Sequence, residues 1–297
     1  MGTLQERVRE LIDKGELSQA ELAKKICKSE STVSQWLKGK YTGDVVSIDE
    51  AVEKFLNFND EMQQETPSKG IPFVMTSVAK EIFTYARLCQ QDCEIGIIHG
   101  GSGLGKTTAI EEFAKINHGV IILEPDEDCG AKVLIAELYE KLGLSGQTKP
   151  IYMKKEILKK LTGSNFLVII DEGENLRTPC FKALRKLHDK ARDTFGLLFV
   201  GTHRLYHNLL RLKGDFEYLT NRIGYSFQLE KLKEDDIKTM TKTLINDEEI
   251  ATLCWQECNG NARILTKMVK RSIKLASVNK VKVNAAIVKT CRAMLIV

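Results

Sequence analysis

The chain has 297 residues, 43% hydrophobic and 28% charged, with 44 Lys and Arg against 40 Asp and Glu for a formal net charge of +4. At roughly 100–200 residues per domain, that length predicts two domains of ordinary globular composition. No apolar run reaches the roughly 18–20 residues a membrane span requires, and the polar, helix-like start does not read as a signal peptide, so a cytoplasmic protein with no membrane partner is expected.

The eight cysteines fit free thiols in a reducing compartment. Cys89/Cys93 and Cys254/Cys258 repeat at i, i+4, a spacing unlike the short knuckles of zinc sites. The charge is unevenly spread. Residues 1–62 carry nine basic and twelve acidic side chains, whereas 259–297 carry nine basic and no acidic ones. A segment with only positive charge suits a polyanion, or it is simply a solvated helix face.

Residues 1–58 read as short helices. Leu4, Val8, Leu11 and Ile12 form an apolar stripe at helical spacing. Ser18 with Glu21 is a capping box opening a helix through Lys25, and Ala23 is small where two helices must cross. After a turn at 26–28, Ser29 caps a helix over 30–37 that turns Val33, Trp36 and Leu37 inward. Ser31, Thr32, Ser34, Gln35 and Lys38 are left outward, with chemistry suited to phosphates and base edges in a major groove. The strings at 17–23 and 31–39 resemble the phage-repressor-like helix-turn-helix family, which implies that these five residues contact DNA. The acidic balance of the segment leaves protein contact open as its alternative role.

Residues 59–70 are polar, contain Pro67 and Gly70, and read as a linker. From residue 71, apolar runs at 95–99, 120–123, 166–170, 197–200 and 225–229 alternate with helical patterns at 106–115, 131–142, 154–161 and 180–191. That alternation predicts an α/β core over 71–231, a mostly parallel sheet covered on both faces. Beyond residue 232 the patterns are helical only.

Gly100, Gly101, Ser102, Gly103, Leu104, Gly105, Lys106 and Thr107 match G-x4-G-K-[ST] between a strand and a helix that begins around Thr108. Glycines let backbone N–H groups close on phosphate, the helix adds its positive end, Lys106 supplies a point charge, and the Thr107 hydroxyl ligates Mg²⁺. The predicted ligand is ATP with Mg²⁺. The apolar run 166–170 ends in Asp171 and Glu172, for the metal shell and for polarising the attacking water respectively. Thr202, after the run at 197–200, is expected near the γ-phosphate, in preference to His203. Arg222 before the last strand, and Arg263 in Gly260-Asn-Ala-Arg263, are candidates to neutralise phosphoryl charge, one in cis and one from a neighbouring subunit.

This set resembles the AAA+ ATPase family over about 71–297. The resemblance implies an arginine finger at Arg222, a sensor 2 role for Arg263, a helical lid over 232–297, and oligomerisation. The segment 71–74 resembles the family's adenine-pocket lining. A repressor-like domain, a short linker and one AAA+ module together resemble the phage Mu B transposition protein family. That resemblance implies an ATPase that binds double-stranded DNA largely without sequence preference, assembles on it as an oligomer or filament, and recruits and stimulates a transposase. Lys267, Lys270, Arg271 and Lys274 are then candidate phosphate contacts. A helix-turn-helix transcription regulator with an ATPase switch, and a replication-initiator or helicase-loader ATPase, use the same parts.

Overall fold

The computed structural model describes residues 3–64, 71–191, 194–211 and 222–296. The chain divides into two compact units, Met1–Lys69 and Gly70–Val297.

The first unit holds helices α1 (Leu4–Asp13), α2 (Gln19–Lys25), α3 (Glu30–Leu37) and α4 (Val45–Gln64). Thr3 with Glu6 and Ser18 with Glu21 form capping boxes for α1 and α2, and Ser29 caps α3. Between α2 and α3, Cys27 takes a left-handed turn conformation, φ 55°. Val8, Leu22, Val33, Trp36, Ile48, Val52 and Leu56 bury one small core. The Trp36 indole N–H reaches Asp49 at 2.7 Å, satisfying the polar edge of a buried ring. Helix α4 runs through the first half of the segment whose composition predicts a linker. The reason is local: Glu61, Met62, Gln63 and Gln64 are good helix formers, and Pro67 is the first residue able to stop them. Residues 65–70 lie outside the described residues.

The second unit is a five-stranded sheet in the order β2-β3-β4-β1-β5, with every described pairing parallel. The strands are β1 (Ile95–Gly100), β2 (Val120–Leu123), β3 (Leu167–Ile170), β4 (Gly196–Gly201) and β5 (Ile223–Leu229). Strands β1, β3 and β4 are buried along their whole length, as a sheet covered on both faces requires. Alternate side chains serve two cores: Leu167 and Ile169 join one, Val168 and Ile170 the other. Helices α5 (Ser77–Asp92) and α6 (Lys106–Ile116) pack into the first, and α7 (Ala131–Lys141), α8 (Pro150–Leu161) and α9 (Thr178–Lys190) into the second. Helix α10 (His203–Arg211) follows β4.

After β5 come α11 (Glu234–Lys242), α12 (Glu248–Cys258), α13 (Ala262–Val278) and α14 (Ala285–Ala293). Their apolar residues, including Ile237, Cys254, Leu265, Met268 and Val288, share one core with Ile98, Val200 and Leu229 of the sheet. The helical C-terminal region is thus packed continuously with the strand that carries the glycine loop. Among the described residues, no helix is long and apolar enough to cross a membrane.

Candidate nucleotide-binding site

The loop between β1 and α6 obtains its shape from backbone conformations that side chains disfavour. Gly103 and Gly105 adopt φ 80° and 85°. Gly105 stands at the N-cap of α6 with no side chain over the helix end, so the first N–H groups of α6 face the loop, where an anion would sit. The loop opens on a cavity of about 410 Å³, within the size range of ligand pockets.

Ser102, Gly103, Leu104, Gly105, Lys106, Thr107 and Thr108 line this cavity, together with Asp171, Glu172 and Thr202. The segment 71–74 forms a further part of the wall, with Phe73 stacked on Phe83 at 6.3 Å. Gly100 and Gly101 contribute carbonyls instead: the Lys106 ammonium donates to them at 3.1 and 2.8 Å. Burial pushes the Lys106 pKa down; Glu174 and Asp171 oppose that shift, and Arg263 adds to it.

The metal position can be tested on its donors. The Thr107 hydroxyl donates to Asp171 Oδ2 at 2.7 Å, joining the first turn of α6 to the end of β3. Asp171 is only 2% exposed, and its other oxygen accepts the Glu172 N–H at 2.9 Å. Glu124, at the end of β2, has its pKa raised by burial and by the nearby charges of Asp171 and Glu172. No group of three or more protein ligands able to cage a metal occurs among the described residues. One hydroxyl and one buried carboxylate in an acid-rich corner suit Mg²⁺, which takes its remaining ligands from water and phosphate.

The two glutamates near Asp171 differ. Glu172 is exposed and left-handed, φ 47°, a strained conformation for a residue with a Cβ. Its carboxylate accepts from Asn175 Nδ2 at 3.2 Å. Glu174, on the short 3-10 turn Gly173–Asn175, also lines the cavity and accepts the Thr202 N–H at 3.1 Å. Its charge is the largest influence holding Lys106 protonated. No short motif marks Glu174; the fold packs it against Gly201, where a Cβ would lie 2.2 Å from Glu174 Oε2.

Thr202 lines the cavity, whereas His203 turns to His99, their Nδ1 atoms sharing a hydrogen bond at 3.2 Å. His99 is buried, stacked on Tyr206, and its pKa is lowered first by burial and then by His203. Arg263 stands in the cavity wall at the start of α13. Arg222 does not line it: Ile95 pairs with Ile223, so Arg222 lies at the end of the sheet away from Gly100, where it pairs with Asp189 at 3.6 Å.

Arg263, Lys267, Lys270, Arg271 and Lys274 follow helical spacing on one side of α13. Lys267 lies in the cavity wall, a place its sequence context did not suggest. Arg271 donates to the Met294 carbonyl at 3.1 Å, closing the end of α14, while Lys274 is exposed and Lys270 half-buried. On α3, Gln35 is exposed and Ser34 half-buried, and Lys38, at the C-cap of that helix, is exposed. The Ser31 and Thr32 hydroxyls each sit 2.8 Å from Ser29 Oγ, engaged in the helix cap.

Residues 89–209 match the AAA domain family, and residues 8–43 match a helix-turn-helix family. The chain is 28% identical over 279 residues to the ATP-dependent target DNA activator B of Escherichia phage Mu, covering 91% of this chain and 86% of that protein. It is 25% identical to the Mu-like prophage FluMu DNA transposition protein B of Haemophilus influenzae, covering 89% and 94%. Its fold is similar to that of the Aeropyrum pernix ORC2 protein, with TM-score 0.62 at 15% identity over 78% of this chain and 72% of that one. It is also similar to domain III of the Thermotoga maritima replication initiation protein DnaA, with TM-score 0.50 at 14% identity over 74% and 92%. The glycine loop, the Thr107–Asp171 contact and the parallel sheet agree with these likenesses: the chain carries an AAA domain preceded by a helix-turn-helix, and over most of its length it is similar to the Mu B-type AAA+ proteins.

Proposed function

We propose that the protein is an ATP-dependent DNA-binding ATPase of Mu-like transposition. In this reading it assembles on duplex DNA with little sequence preference and delivers that DNA to a transposase. The observation that carries it is helix α13, which places Arg263 and Lys267 in the nucleotide cavity and continues into Lys270, Arg271 and Lys274. A helix so placed links the charge of a bound nucleotide to a basic, acid-free segment suited to phosphate. The names of the phage relatives support the DNA and transposition parts of the reading.

In the catalytic cycle, Lys106 and the α6 N-terminus hold the β- and γ-phosphates, and Thr107 and Asp171 hold Mg²⁺. Held there, Mg²⁺ would supply positive charge to offset the charge developing on the transferred phosphoryl group. Glu172 orients the attacking water, Thr202 sits beside the γ-phosphate, and Arg263 acts in cis. Arg222, remote from its own cavity, acts on a neighbouring subunit. Ser34, Gln35 and Lys38, with Ser31 and Thr32 at the helix cap, form the DNA-facing side of the helix-turn-helix.

Electron microscopy of the protein on long duplex DNA of arbitrary sequence tests the proposal. Continuous protein coverage with ATP, lost with ADP or no nucleotide, is the expected result. Isolated dimers at one preferred sequence, whatever the nucleotide, would instead mean a transcription regulator.

A further inference from the structure

The lid helix α13 begins on the glycine loop itself. The Ala262 and Arg263 N–H groups donate to the Gly103 carbonyl at 2.8 and 3.3 Å. The intervening connection is one side chain, Asn261, used at both ends. Its Oδ1 accepts the Arg263 and Ile264 N–H groups at 3.0 and 3.1 Å, capping α13. Its Nδ2 donates to the Ser102 carbonyl at 3.1 Å. The amide places its acceptor and its donor on two separate atoms, whereas a serine hydroxyl joins both in one oxygen and an aspartate carboxylate only accepts, so Asp or Ser can supply the cap but not this reach to the loop. Gly103 is fitted to the contact: a Cβ there would stand 2.3 Å from Asn261 Oδ1. From the same helix, Arg263 Nη1 donates to Ser102 Oγ at 3.4 Å. The other side of Asn261 is anchored too, because Leu232 N–H, just after β5, donates to the Gly260 carbonyl at 3.2 Å.

We infer that Asn261 is a positioning residue that clips the Ser102–Gly103 part of the loop to α13, so that the lid helix sets the phosphate-facing shape of the loop. The inference deepens the proposed function and rests on the reading that this loop holds ATP. A loop held only by its own glycines would spend part of its time in shapes unable to direct N–H groups at phosphate, and nucleotide would then have to order it at a cost in affinity. With the clip, that ordering is done on folding. Arg263 and Lys267, on the clipped helix, are registered to the loop by the same contact.

The test compares Asn261→Ala, Asn261→Ser and Lys106→Ala in the full-length chain. A fluorescent ATP analogue reports affinity, phosphate release reports KM and kcat, and thermal melting reports stability. Serine caps helices about as well as asparagine, so Asn261→Ser should keep the parent melting temperature while Asn261→Ala lowers it. Both should weaken nucleotide binding and raise the KM for ATP by about two- to tenfold, the factor one neutral hydrogen bond supplies, with kcat at saturating ATP little changed. Hydrogen exchange at the Ala262 amide should quicken in Asn261→Ser. Parent affinity and KM in Asn261→Ser would show that the residue is a helix cap alone and overturn the inference. Affinity loss that merely follows melting temperature in both variants would overturn it as well. Lys106→Ala separates the two levels: if that variant binds nucleotide like the parent, the glycine-loop reading itself fails, whatever the Asn261 variants do.

Discussion

Two glutamates two residues apart are asked to do different things. Glu172 is held left-handed at the end of a buried strand, and Asn175 restrains its carboxylate. In the proposed mechanism Glu172 is the base, and Glu172→Gln keeps the side chain's shape while removing that basicity. Phosphate release should fall by about 10²–10⁴-fold, the usual span for a general base, while ATP analogue binding persists; turnover near the parent rate would remove Glu172 from the role. Glu174 acts on Lys106. Lys106 already titrates below its ordinary 10.5 because burial outweighs the carboxylates around it, and Glu174 is the largest of those opposing charges. In Glu174→Gln the Lys106 pKa falls further, so its proton is lost at lower pH. Nucleotide affinity measured against pH should therefore begin its alkaline decline earlier than in the parent. An unmoved alkaline limb would count against the Glu174–Lys106 coupling.

At the scale of elements, the helix-turn-helix unit and the α/β unit stand on separate cores. Trp36 is 1% exposed and central to the smaller one. Trp36→Ala should cost about 3–5 kcal/mol, comparable with the whole stability of so small a domain. Calorimetry should then lose the transition of the first unit and keep that of the second, with ATP analogue binding intact; joint loss of both transitions would contradict independent cores. The elements themselves were legible in the sequence where local signals agree. An apolar stripe marks α1, a capping box marks α2, short apolar runs mark β2 and β3, and the Gly-Lys-Thr turn marks the start of α6. The end of α4 was not, because polar residues without Pro or Gly are good helix formers as well as ordinary linker residues.

For the whole molecule, the parallel sheet separates Arg222 from the glycine loop. Strands β1 and β5 run side by side, with Ile95 opposite Ile223 and Gly100 opposite Leu229, so a residue before β5 sits at the opposite end from the glycine loop. If Arg222 serves hydrolysis, it does so in a neighbour's site. Lys106→Ala and Arg222→Ala should each lack turnover alone, yet their mixture should regain it on DNA, because one variant supplies the arginine and the other the nucleotide. A mixture as inactive as its components would remove the trans role.

The sequence by itself determined what depends on neighbours along the chain: the glycine loop before a helix, the acids ending a buried strand, the capped third helix, and the acid-free last segment. In each case local backbone preference or side-chain chemistry suffices. Tertiary structure alone decided which distant groups meet. It brought Asn261 to Ser102 and Gly103, placed Lys267 in the cavity wall, set Glu174 against Thr202 and Lys106, and sent Arg222 to the far end of the sheet. Those meetings follow from strand order and from C-terminal helices that share a core with the sheet. Both arise from packing between segments far apart in sequence, for which no short motif carries a signal.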